Sequence, residues 1–403
     1  MPAPNTPYTA RRVTWRKLLG SARGARGGEA RRLPAIGTVA AAIAAAVALT
    51  PGGAAQPAQA EAQKQTRQKQ TPKKTMWGPV TYEGRPMMPT YRDLGVGIYA
   101  TTAHWDTIAP TKPANPTDPN DPAYVWPSYI DDAIPAAAAN GIRVQILIRG
   151  VPPWANGGRG SHHVPTLISD WTDFVTAIAR KYPTVDLWMI WGEPNRGGPT
   201  FAPFTQARRP MGKLNRAEQV APRNYAQLLD TAYGALKAAN RSNLVIGGNT
   251  YTAAGNDDIN TYQWIHHLKL PNGQRPRMDL YGHNPYGFDI PNLKDPPSPK
   301  GNVAFGDLRR LVKVLDKNFR GKRLKLYLSE WGVPIGFKDQ DLLYSLKPME
   351  GKRWIRAGFR IARKWKRIYT LGWVHPIDTP YASQGLLNKN LGKKPGYNVY
   401  KKG

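Results

Sequence analysis

The chain has no cysteine among its 403 residues. That absence excludes disulfides, thiolate metal sites, iron–sulfur clusters and a thiol nucleophile. Acidic residues are scarce: 27 Asp and Glu stand against 57 Lys and Arg, for a formal net charge of +30. Glutamate is rarer still, with only Glu83, Glu193, Glu218, Glu330 and Glu350 in residues 76–403. The apolar run Ile36–Leu49 falls short of the roughly 20 residues that a membrane-spanning helix needs. No H-E-x-x-H motif and no Asp-rich calcium loop occurs, and the adjacent pairs His162-His163 and His266-His267 do not share a face of a helix or strand. No metal and no cofactor is therefore expected. What is present is a hydrophobic share of 41%, with 13 Trp and 19 Tyr, enough for a large folded core.

The N-terminal part reads as a targeting segment. Residues 11–32 carry eight arginines and lysines, Ile36–Leu49 is apolar, and a small-residue stretch ends at Ala58-Gln59-Ala60. A basic region, an apolar region and an A-x-A site make a secretory signal peptide over residues 1–60, and the pair Arg11-Arg12 is a weak twin-arginine hint. Residues 61–75 read as a basic, disordered linker. The expected location is extracellular, with no stable membrane insertion after cleavage; anchoring by an uncleaved segment is the alternative. Residues 76–403 still carry a net charge of +19, so the folded part is basic in its own right. A basic balance suits an acidic partner.

In residues 76–403 short apolar runs alternate with amphipathic stretches, the pattern of βα units. Eight strands are predicted, near Met76–Val80, Gly95–Tyr99, Arg143–Ile148, Asp186–Trp191, Leu244–Gly247, Met278–Gly282, Leu324–Ser329 and Tyr369–Trp373. Eight units in one α/β domain fit a (β/α)8 TIM barrel. A doubly wound sheet is the runner-up, but Met76–Gly84 carries no glycine-rich phosphate loop.

Catalytic groups of such barrels sit at the C-terminal ends of strands. Glu193 closes strand four in Trp191-Gly192-Glu193-Pro194-Asn195, and Glu330 closes strand seven in Ser329-Glu330-Trp331-Gly332. Strands four and seven lie nearly opposite each other, so both carboxyls can face the mouth. Two carboxyls about 5–5.5 Å apart would suit a retaining glycosidase.

These two motifs resemble the catalytic signatures of glycoside hydrolase clan A, which includes the cellulase-like family five and the β-xylosidase-like family thirty-nine. The resemblance runs from about Met76 to His375. It implies that Glu193 is the acid/base and Glu330 the nucleophile, acting on a β-linked poly- or oligosaccharide. One position departs from the pattern: the clan has Asn before the acid/base where this chain has Gly192, which leaves Asn195 or another loop group to stand in. Gly282-His283-Asn284-Pro285-Tyr286 resembles the strand-six pair of the clan, with Tyr286 contacting the nucleophile.

Further substrate-binding candidates follow from position. His104 and Trp105 follow strand two, Trp154 strand three, Asn249 strand five, Trp331 strand seven and Trp373 strand eight. Indoles at four strand ends are expected to ring the mouth and pack on sugar faces. Residues 352–367 carry eight basic residues among five large apolar ones, and are expected to form a barrel helix with a solvated basic face. No nucleic-acid-binding motif accompanies them, so no nucleic-acid partner is expected. The partner is read as a carbohydrate, with an acidic or cell-wall glycan suiting the charge, and the protein as a monomer. Two alternatives remain: a barrel that binds glycan without cleaving it, and a basic protein that binds an anionic polymer.

Overall fold

Eight parallel strands close into a barrel in this computed structural model, which describes residues 70–197, 201, 212–252, 258–294 and 301–403. The expected signal peptide and residues 61–69 of the expected linker lie outside the described residues. The barrel strands are β1 (Thr71–Trp77), β2 (Val96–His104), β3 (Arg143–Arg149), β4 (Leu187–Ile190), β5 (Leu244–Tyr251), β6 (Leu280–Asn284), β7 (Lys325–Leu328) and β8 (Ile368–Trp373). Each pairs in parallel with the next, and β1 closes the ring against β8 through Lys74–Leu371, Thr75–Gly372 and Met76–Trp373. The (β/α)8 barrel expected from the alternation is the observed fold.

A helix follows every strand: α1 (Met88–Asp93), α2 (Ser128–Ala139), α3 (Ile168–Lys181), α4 (Val220–Ala239), α5 (Thr261–His267), α6 (Leu308–Asn318), α7 (Pro348–Lys364) and α8 (Tyr397–Lys402). The strands are apolar on both faces because both are covered. In β4, Leu187 and Met189 point into the barrel beside Ile98, Leu147, Ile246 and Tyr327, while Trp188 and Ile190 join the larger core beneath the helices. α7 sorts the basic stretch as expected: Trp354, Ile355, Phe359 and Ala362 are buried, and Arg353, Arg356, Arg360 and Arg363 are exposed.

Two boundaries differ from expectation. β1 begins at Thr71, so residues 71–75 of the expected linker are barrel strand, and Lys74 is buried within it. Its ammonium donates to the carbonyls of Leu94, Tyr400 and Lys401 at 3.0, 2.8 and 3.1 Å and lies 4.9 Å from the Tyr400 ring. A charged lysine is tolerated inside a core only with such partners. The segment after β8, beyond the last predicted strand, is also part of the core. It carries α8, whose Tyr397 and Tyr400 are buried.

Candidate active site

β4 ends in a backbone contortion. Trp191 and Glu193 have φ of +64° and +50°, and the neighbouring Asn249 in β5 has +42°. Side chains avoid this left-handed region, at a cost of about 1–3 kcal/mol each when the surroundings enforce it. Here the surroundings do so. Glu193 N–H donates to the Asn249 carbonyl at 3.0 Å, and Asn195 clamps the loop to β5. The Asn195 amide donates to the carbonyls of Tyr251 and Ile259 and accepts from Tyr251 N–H. The bend turns Trp191 outward onto Phe201, with ring centroids 5.0 Å apart, and brings Glu193 to the mouth with 12% of its side chain exposed.

Glu193 meets Glu330 through one amide. Asn284, at the tip of β6, donates from Nδ2 to Glu193 Oε1 at 2.9 Å, and its Oδ1 accepts the backbone N–H of Glu330 at 3.1 Å. Arg196 Nη1 donates to the other Glu193 oxygen at 2.9 Å, and its guanidinium lies 4.5 Å over the Tyr251 ring. Tyr286 donates a long bond of 3.4 Å to Glu330 Oε2. Burial, and then the charges of both glutamates, push the Tyr286 phenol up, so it keeps its proton. Burial raises the Glu330 carboxyl to about 8, with the Glu193 charge adding to it and Tyr286, Arg196 and Arg149 opposing. The two carboxylates thus sit in contrasting settings, which is how one pair divides acid and base roles.

The remaining expected site residues fall into three groups. Tyr286 and Asn249 are at the site. Asn249 lies beside Gly192, where an added Cβ would be 3.9 Å from Asn249 Nδ2 and 3.3 Å from Leu147 Cδ1. The Asn249 side-chain amide is buried with no hydrogen-bond partner among the described residues. His104 is half-exposed at the end of β2, 3.7 Å from the Asp106 carboxylate. Asn195 and His283 are brought close but are spent on structure. The fully buried His283 donates from Nε2 to the Val303 carbonyl at 2.7 Å and accepts at Nδ1 from the Thr250 hydroxyl at 2.9 Å. Burial lowers its imidazole to about 4, so it stays neutral.

The tryptophans do not ring the mouth. Trp105, Trp331 and Trp373 are buried. Trp105 packs on Trp154, Trp171 and Phe174; Trp331 packs on Phe305, Phe359 and Trp373. The Trp373 N–H is shared between the carbonyls of His375 and Gln384, and the half-buried Trp154 donates to the Ala109 carbonyl. Large indoles at strand ends gain more by filling the space between barrel and helices than by facing water. Among the described residues the exposed aromatics are instead Phe288, Phe337 and Tyr381, on the loops after β6, β7 and β8.

Sequence reasoning missed Asn284, Arg196 and Arg149. Asn284 lay inside a quoted motif. Strand alternation places His283 and Asn284 on opposite faces. Arg196 directly follows the Glu193 motif, and Arg149 ends β3.

The chain matches no protein-family model and no curated protein. It is similar to solved structures. A family 39 glycoside hydrolase from Bacteroides cellulosilyticus superposes with a TM-score of 0.56 at 18% identity, over 83% of this chain and 63% of that one. A glucosidase from Croceicoccus marinus gives 0.59 at 14% identity, over 83% and 67%. A monomeric β-xylosidase from Caulobacter crescentus gives 0.54 at 20%, over 78% and 63%. The chain thus spans about two thirds of the length of these proteins. At such identities the likeness establishes the fold alone, a (β/α)8 barrel similar to those of these glycoside hydrolases.

Proposed function

We propose that this chain is an exported, retaining glycoside hydrolase that cleaves a β-linked poly- or oligosaccharide. The observation that carries the reading is the Asn284 amide, which joins the Glu193 carboxylate to the Glu330 backbone at the barrel mouth. The roles follow the order of the motifs. Glu193 gives its proton to the glycosidic oxygen as the Glu330 carboxylate attacks the anomeric carbon, and the bond to the leaving group breaks. In the second step Glu193 takes a proton from water, the water oxygen bonds to the anomeric carbon, and Glu330 leaves as a carboxylate.

The active pair carries one proton. Burial favours the protonated form of Glu330 in the free protein, so attack by Glu330 requires that carboxyl to give up its proton. Tyr286 supports that transfer, because a phenol that stays protonated donates to the Glu330 carboxylate as it forms.

The test is hydrolysis of neutral and acidic plant, fungal and bacterial polysaccharides and of aryl glycosides, beside Glu193→Gln and Glu330→Gln. Either variant is expected to lose about a thousandfold or more in kcat/KM. Azide is expected to rescue Glu330→Gly with an inverted product. No cleavage across the panel, with one glycan still bound, would replace the enzyme reading with a glycan-binding barrel.

A further inference from the structure

The charge of the barrel is concentrated on one flank. Residues 308–325 and 348–367, which are α6, α7, the turns after them and the first residue of β7, hold 16 Lys and Arg against Asp316 and Glu350. This net +14 is most of the +19 carried by residues 76–403. α6 buries Leu308, Leu311, Val312 and Leu315 and exposes Arg309, Arg310, Lys313 and Lys317. On α7 the exposed Arg353, Arg356, Arg360 and Arg363 recur every three or four residues, a single stripe about 15 Å long. The two flanks are stitched together where they end. Arg367 donates to both oxygens of Asp316 at 2.9 and 2.8 Å, which consumes the only acid on α6.

Nothing in barrel packing asks for this charge. A solvated helix face accepts Glu or Gln as readily, and cations three or four residues apart repel one another. We propose that the outer faces of α6 and α7 form a docking surface for a linear acidic polysaccharide, separate from the catalytic mouth. Guanidinium forks match carboxylates in pairs, and arginine supplies the α7 stripe. The stripe offers no open ring for stacking a base, since Trp354 and Phe359 are buried. Met349 is the one large apolar side chain that α6 and α7 expose, too little to enter a bilayer. α7 also begins where the loop carrying Glu330 ends, so the stripe runs from the mouth down the outside of the barrel.

The test uses the full chain, with polygalacturonate as the probe and dextran, duplex DNA and phosphatidylglycerol vesicles as controls. Polygalacturonate is expected to bind, with affinity falling steeply as salt rises. Arg353→Glu, Arg356→Glu, Arg360→Glu and Arg363→Glu together should weaken it by about tenfold or more, and the milder Arg→Gln set by less. Thermal unfolding of both variants checks that they fold, and aryl-glycoside hydrolysis, if present, should stay unchanged. No binding, unchanged binding by the folded variants, or tighter binding of DNA or vesicles at the same salt would overturn the proposal. The glycosidase reading stands or falls separately, on the glutamate variants.

Discussion

Glu193 leaves a backbone forced into the left-handed region at Trp191, Glu193 and the adjacent Asn249, whereas Glu330 leaves β7 with no such residue beside it. Both oxygens of Glu193 accept strong donors, from Arg196 and Asn284. Glu330 has one long bond from Tyr286 and is governed by burial. The first carboxylate is held by aimed hydrogen bonds and strained backbone, the second by its surroundings. The difference teaches that two glutamates at equivalent strand ends acquire distinct chemistry from their neighbours rather than from their position.

That contrast can be broken from the Glu330 side. Trp331→Ala removes the indole that backs the β7 loop against Phe305, Phe359 and Trp373, and should cost about 3–5 kcal/mol in denaturant unfolding. Asn284→Ala removes the one group shared by both glutamates. It should lower kcat/KM by about a hundredfold while leaving the fold intact by circular dichroism. The pH profile of kcat/KM sharpens the contrast without mutation. Activity needs one proton on the pair, so it should fall as pH rises through about 8, where that proton is lost.

The smallest effect is thermodynamic. The folded Glu330 carboxyl titrates at about 8, above its ordinary 4.5, so the stability it contributes below pH 4.5 is lost as pH rises through 8. Glu330→Gln should therefore match the parent in Tm near pH 4 and exceed it by a few degrees at pH 8. An unchanged difference across that range would mean that burial does not govern this carboxyl.

Much of this was legible in the chain. The helix over Ile168–Lys181 is readable in the sequence, because its apolar residues recur at helical spacing on one buried face. The two glutamates were found because carboxylates are rare here and both end apolar strands. The mouth ends of β2 and β5 were read short. β5 runs on to Tyr251 through Gly248 and Asn249, both at positive φ, and Gly-Gly-Asn in a sequence reads as a strand's end. The tryptophans were misplaced because sequence gives an indole's strand end but not its face. Asn284 was passed over because a bridge between two distant loops has no local signature.

Lys74 carries a consequence for how the chain comes to be made. It sits in the first barrel strand, yet two of its three carbonyl partners, Tyr400 and Lys401, lie in α8, beyond the last strand. Until they arrive, a buried ammonium lacks most of its partners, and β1 also waits for β8 to close the ring. An emerging chain is therefore held short of its finished barrel until β8 and α8 have been made.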